Sequence, residues 1–118
     1  MNERDGLFLL HVLEAIDNIE SFTADGRRGF VSDRKTQSAV VRQLEIIGEA
    51  VKNLSAALTG QEVTVPWRLI AGTRDRLIHA YFNVDLDAVW SMVEQDLPAL
   101  RTNVRRILGN SPGAASSG

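Results

Sequence analysis

The chain has 118 residues, 44% of them apolar and 24% charged, the size and balance of one folded domain rather than of a disordered segment. Its formal charge of −2 excludes a broadly basic nucleic-acid coat and confines any RNA or DNA contact to a local positive site. No cysteine is present, so disulfides, thiolate metal ligands and a cysteine nucleophile are excluded together.

In chain order, Leu9, Val12, Leu13, Ile16, Ile19 and Phe22 recur at helical spacing and predict a first amphipathic helix. It should end at Ala24-Asp25-Gly26, in a short connection rich in glycine and charge. His11 lies in this helix with no accompanying motif and reads as structural. Ser32 or Asp33 then suits the cap of a second, long helix. There Val40, Leu44, Ile47, Val51, Leu54 and Leu58 step by alternating fours and threes along one stripe. Gly48, in the middle of that helix, costs about 1 kcal/mol relative to Ala, and is either tolerated or needed for close approach of another helix, from this chain or a second subunit.

The period breaks over Thr59–Val65, and Pro66 is placed for the first turn of a third helix, in two pieces joined near Gly72. Asn83-Val84-Asp85 reads as the next break, with Asp85 as N-cap of a fourth helix carrying Leu86, Val89, Trp90, Val93, Leu97, Leu100, Val104 and Ile107. Pro98 should kink or split that helix, because it removes a backbone donor and crowds the preceding turn. Beyond Glu62–Val65 nothing alternates as a strand would, so the expected fold is all-α, an antiparallel bundle of four principal helices. The expected domain is 1–108, with 109–118, only Gly, Asn, Ser, Pro and Ala, as a flexible tail. No apolar run approaches the roughly 20 residues that span a bilayer, and Met1-Asn2-Glu3-Arg4-Asp5 is too polar for a secretory signal. The expectation is a soluble cytoplasmic protein with no membrane contact.

The segment Trp67–Phe82 carries the anomaly. At about 100° per residue, Trp67, Ile70, Ala71, Leu77 and Ile78 fall within roughly 60° of Arg74 if the helix is continuous. A permanent cation in an apolar stripe must be paired internally, with Glu45 or Glu49 as candidates, or face a crevice that binds an anion. Tyr81 lies about 20° from Arg74, and His79 about 140° round from it. Asp75, four residues before His79, is placed to hold the imidazole in one tautomer. Such a set suits metal-free phosphodiester cleavage: the guanidinium offsets charge on phosphate, and the imidazole moves a proton between a ribose 2′-hydroxyl and a leaving 5′-oxygen. Spacing alone equally allows an internal ion pair, a surface histidine and a rim tyrosine. Arginine outnumbers lysine eleven to two, which fits either phosphate recognition or a GC-rich coding bias. Phosphate loops, His-Glu-x-x-His and serine-nucleophile elbows are absent, and no cofactor or metal is expected.

The string Arg74-Asp75-Arg76-Leu77-Ile78-His79-Ala80-Tyr81 fits R-x-x-x-x-H-x-Y. Together with Thr36–Val40, Leu44–Ala50, Pro66-Trp67, Asp85-Leu86, Val89-Trp90 and Asp96-Leu97-Pro98 in order, it resembles the HepT-like proteins of the HEPN superfamily (higher eukaryotes and prokaryotes nucleotide-binding) from about Arg4 to Leu108. The resemblance implies a dimeric helical toxin, a metal-independent endoribonuclease acting on RNA such as tRNA or mRNA, paired with a small MNT-type nucleotidyltransferase antitoxin. It assigns Arg74 and His79 to catalysis in a cleft between subunits, and Tyr81 to acceptance of AMP from the antitoxin. Asp75 stands where relatives often carry asparagine; a carboxylate there repels phosphate, although it can support His79 as above. The alternative is a non-catalytic helical partner that regulates a nucleotidyltransferase, for which the acidic balance and Asp75 speak.

Overall fold

The computed structural model describes residues 1–73, 77 and 85–109. Among them every regular element is helical: α1 (Glu3–Phe22), α2 (Gly26–Ser32), α3 (Arg34–Lys52), α4 (Ala56–Gln61), α5 (Trp67–Ala71), α6 (Leu86–Ser91) and α7 (Leu97–Gly109). A π-helical turn, Met92–Asp96, joins α6 to α7. The all-α expectation is met, and α7 runs to Gly109, where the tail was expected to begin. None of the described helices is long and apolar enough to cross a membrane.

The packing follows from the periodic apolar positions. Leu9, Val12, Ile16 and Ile19 of α1 are buried against the α3 stripe, and all six stripe residues from Val40 to Leu58 are buried. Leu100, Val104 and Ile107 of α7 close the same core. Each such Leu or Ile contributes about 2 kcal/mol relative to full exposure. Two polar contacts fix the direction of α1 against α3: Asp5 bonds Ser55 just beyond α3, and Asn18 bonds Gln43 at 3.3 Å. The pair is therefore antiparallel. On its other flank α1 holds Arg101 of α7 through Asp17, at 2.8 Å, and Glu20. Gly48 is buried within the single chain.

Four local expectations are corrected. The connection after α1 is itself a helix, α2, entered through Gly26 at φ 75°, a backbone region that favours glycine. Its one buried side chain, Phe30, stacks on Trp90 with centroids 5.4 Å apart, too little apolar content to give a period. The long second helix stops at Lys52, not Leu58. Asn53 caps it, and Ser55 starts α4 by accepting from the Leu58 amide at 3.2 Å. The apolar steps survive the break because α4 continues under the same core. Phe22, placed on the first apolar stripe, is 40% exposed, since α1 ends there. Pro66 is the N-cap of α5 rather than a residue of its first turn. As expected, Asp33 caps α3 through the Lys35 amide at 3.0 Å, and Asp85 caps α6 through the Ala88 amide at 3.1 Å.

Pro98 neither ends the helix nor leaves it regular. The π turn sits directly before it, with the Leu97 amide reaching the Met92 carbonyl. The widened turn gives the pyrrolidine ring room and takes up the missing donor locally, so the chain stays helical from Leu86 to Gly109.

Asp5 is the most constrained polar group. It is 1% exposed and accepts from the Ser55 amide at 2.8 Å and the Ser55 hydroxyl at 2.6 Å. It also completes a reciprocal cap with Asn2, whose side chain accepts from the Asp5 amide at 2.7 Å. Burial pushes its carboxyl up, but the hydrogen bonds from Ser55 and Asn2 outweigh burial and hold it below the ordinary value. A carboxyl depressed by folding adds stability above its unfolded pKa and loses it as the pH falls through the folded one. Asp5→Ala should therefore destabilise the protein by about 2–3 kcal/mol at neutral pH. The gap should narrow below about pH 4, and thermal melts of both proteins across pH check it.

Candidate active site

Arg74, Asp75, His79 and Tyr81 lie outside the described residues, as do Arg76, Ile78, Ala80 and 82–84. What the structure describes is the frame on either side of the motif and one residue inside it. Upstream, α5 ends at Gly72, where the amide reaches the Arg68 carbonyl at 3.0 Å. A Cβ on Gly72 would stand 3.3 Å from that carbonyl oxygen, which favours glycine at this crowded helix end. The expected division of the third helix at Gly72 is present. The continuity on which the angles of Trp67, Ile70 and Ala71 rest therefore ends at Gly72.

Thr73, directly before Arg74, is 8% exposed, and its hydroxyl donates to the Leu69 carbonyl at 3.2 Å. Leu77, between Arg74 and His79 in sequence, is 3% exposed and belongs to the core, as its place on the apolar stripe predicted. Downstream, Asp85 opens α6, which is held by the Phe30–Trp90 contact and by the ion pair of Arg27 with Asp87. The described residues around the motif are thus a buried threonine before it, a buried leucine within it and a capped helix after it.

Beside Thr73 lies a cavity of about 240 Å³. Its floor comes from α3 (Leu44, Ile47), one wall from α5 and the other from the π turn and α7, where Met92, Asp96 and Asn103 stand. The π turn before Pro98 therefore supplies part of the lining that the cavity shares with Thr73. A second concavity, between α1 and α3, is lined by Phe8, His11, Arg42, Glu45, Ile46 and Glu49. His11 meets the Phe8 ring edge-on with centroids 6.1 Å apart, in keeping with a structural role. Glu45, one of the two carboxylates considered for Arg74, is paired with Arg42 at 3.4 Å. Among the described residues no group of three or more His, Asp or Glu side chains could hold a metal ion.

Sequence reasoning missed Asp5, Thr73 and the Arg101 cluster. Asn2-x-x-Asp5 before an apolar run does carry the spacing of a capping box, so that signal was present. Thr73 and Arg101 carry no such local signature.

The profile of the family described as Ribonuclease HepT-like matches residues 12–107. The chain is 44% identical over 101 residues to a protein of Thermococcus cleftensis named probable ribonuclease HepT, covering 85% of this chain and 92% of that one. It is 41% identical over 102 residues to a Caldanaerobacter subterraneus protein provisionally named an RNase, covering 86% and 91%. A Methanocaldococcus jannaschii protein, whose name joins gamma-glutamylcyclotransferase to a provisional RNase, is 40% identical over 103 residues; they make up 86% of this chain and 46% of that longer protein. No solved structure matches the chain significantly. The helical frame and the matched span define a HEPN-type helical domain. The chain belongs to the HepT-like ribonuclease family.

The core position of Leu77 is open to a direct test. Leu77→Ala should lower stability by about 2–5 kcal/mol, as buried leucine truncations do. Chemical denaturation of the two proteins measures the difference, and a change below about 0.5 kcal/mol would contradict the burial assigned to it.

Proposed function

We propose that the protein is a metal-independent endoribonuclease, the toxin of a toxin–antitoxin pair, acting as a homodimer on RNA. The observation that carries this reading is the family match over residues 12–107, which encloses the whole R-x-x-x-x-H-x-Y string, together with the buried anchors around that string. His79 accepts the proton of a ribose 2′-hydroxyl as the 2′-oxygen attacks phosphorus. The bond from phosphorus to the 5′-oxygen breaks, and imidazolium returns a proton to that oxygen. Arg74 offsets the charge gathering on the phosphate oxygens, and Asp75 orients His79. Nothing in this sequence of steps needs a metal ion.

Tyr81 is the site of control. A nucleotidyltransferase antitoxin of the MNT type transfers AMP to its phenolic oxygen from a nucleoside triphosphate, with release of pyrophosphate. The adenylate adds bulk and negative charge close to Arg74 in the sequence, which blocks RNA by sterics and by like-charge repulsion.

Controlled expression should arrest growth and produce discrete RNA fragments with the wild type, while Arg74→Ala and His79→Ala should do neither. Tyr81→Phe should remain toxic when the antitoxin is co-expressed and should take up no labelled AMP. Asp75 and the net negative charge favour a second reading, a non-catalytic partner of a nucleotidyltransferase. Co-purification with the transferase without RNA cleavage at any salt concentration would support that reading instead.

A further inference from the structure

The basic side chains of this acidic chain are unevenly spread. Arg27, Arg28, Arg34 and Lys35, four of thirteen, stand within nine residues, at the corner where the end of α1 meets α2 and the start of α3. Within residues 22–35 the carboxylates are Asp25 and Asp33, and Asp87 of α6 reaches Arg27 from outside that segment. Outside residues 22–35 nine cations stand with thirteen carboxylates.

The folded structure leaves most of this charge unspent. All four cations are exposed. Arg27 is engaged by Asp87, whereas Arg28, Arg34 and Lys35 form no ion pair among the described residues. The Asp33 carboxylate is taken up by the Lys35 amide and by the Thr36 hydroxyl at 2.9 Å. The same corner carries apolar surface that the core does not use: Phe22 and Val31 are each 40% exposed. Exposed cations and an exposed aromatic, here within fourteen residues of sequence, are the two elements by which proteins hold single-stranded nucleic acid, the first on phosphates and the second on a base face.

Position relates the corner to the proposed site. Asp87, bonded to Arg27, follows Tyr81 by six residues, so the chain allows no more than about 20 Å between their backbones. We propose that Arg28, Arg34 and Lys35 form a phosphate-gripping track, with Phe22 as a stacking platform, that holds single-stranded RNA at a distance from the scissile bond. This inference rests on the ribonuclease reading and names where the substrate is held outside the motif. It also reconciles a net-acidic chain with a polyanionic substrate, because affinity is concentrated in one short track rather than in the overall charge.

The test is fluorescence anisotropy with a labelled 2′-O-methyl oligouridine, which lacks the 2′-hydroxyl and so reports binding without cleavage, titrated over a series of salt concentrations. The triple variant R28Q/R34Q/K35Q should bind at least about tenfold more weakly, and its slope of log K against log salt should be shallower by about 2, at about 0.7 for each phosphate that is no longer neutralised. Phe22→Ala should weaken binding about fivefold or more with the slope unchanged. With cleavable RNA the triple variant should raise KM and leave kcat alone. Equal affinity and slope in wild type and triple variant, or no oligouridine binding by the wild type, would overturn the track. An inert Phe22→Ala would overturn the platform. Wild-type binding that depends on the corner, without cleavage of ordinary RNA, would uphold the track and overturn the nuclease reading.

Discussion

A single buried carboxylate closes the frame on which the rest of this molecule is assembled. Asp5 joins the first turn of α1 to Ser55, fifty residues later, and the same serine hydroxyl that donates to Asp5 accepts from the amide that starts α4. One interaction therefore fixes the antiparallel register of α1 and α3, ends the long helix, and sets the direction in which the chain leaves toward α5. Burial of an unpaired carboxylate would be prohibitive, and this one is tolerated because amide and hydroxyl donors surround it. Register matters here because α1 and α3 form the most extensive helix–helix contact among the described residues, and a slip along it would uncover the stripe from Val40 to Leu58.

The second determinant lies at the other end of the chain. Pro98 would break a regular helix, yet the helical path continues because the turn before it widens. The widened turn places Met92 and Asp96 on the wall of the cavity beside Thr73. Two arginines then fasten this last helix to the bundle, Arg101 by bridging Asp17 and Glu20, and Arg106 by a bidentate pair with both oxygens of Glu62. Glu62 also receives the Trp67 indole on its carbonyl at 2.9 Å, so one residue links the start of α5 to the end of α7.

The outline of this fold was legible in the sequence wherever a long apolar period ran unopposed. Leu9, Val12, Ile16 and Ile19, and the steps from Val40 to Leu58, all proved buried. Local periodicity failed where the deciding contact was distant. It could not see that Ser55 is drawn to Asp5, because the apolar spacing continues across the break. It missed α2, whose single anchor Phe30 finds its partner in Trp90, sixty residues away. It also placed Phe22 inside, although the helix ends at that residue. Of the site, the division at Gly72, the burial of Leu77 and the cap at Asp85 were legible, because helix-end chemistry and an apolar stripe are local signals. How Arg74, Asp75, His79 and Tyr81 stand toward one another is not: their spacing is compatible with catalysis and with an ordinary ion pair, and family membership weighs toward the first.

The chain belongs to the HepT-like ribonuclease family, and the proposed mechanism adds that it cuts RNA with side chains alone. The most direct test is the chemistry of the new ends made by the purified protein on a defined RNA in the presence of a chelator. A 2′,3′-cyclic phosphate and a 5′-hydroxyl, formed at an undiminished rate and absent with His79→Ala, is the result expected of attack by the 2′-oxygen. Ends bearing a 5′-phosphate, or cleavage abolished by the chelator, would show that a bound metal activates water instead and would contradict the account.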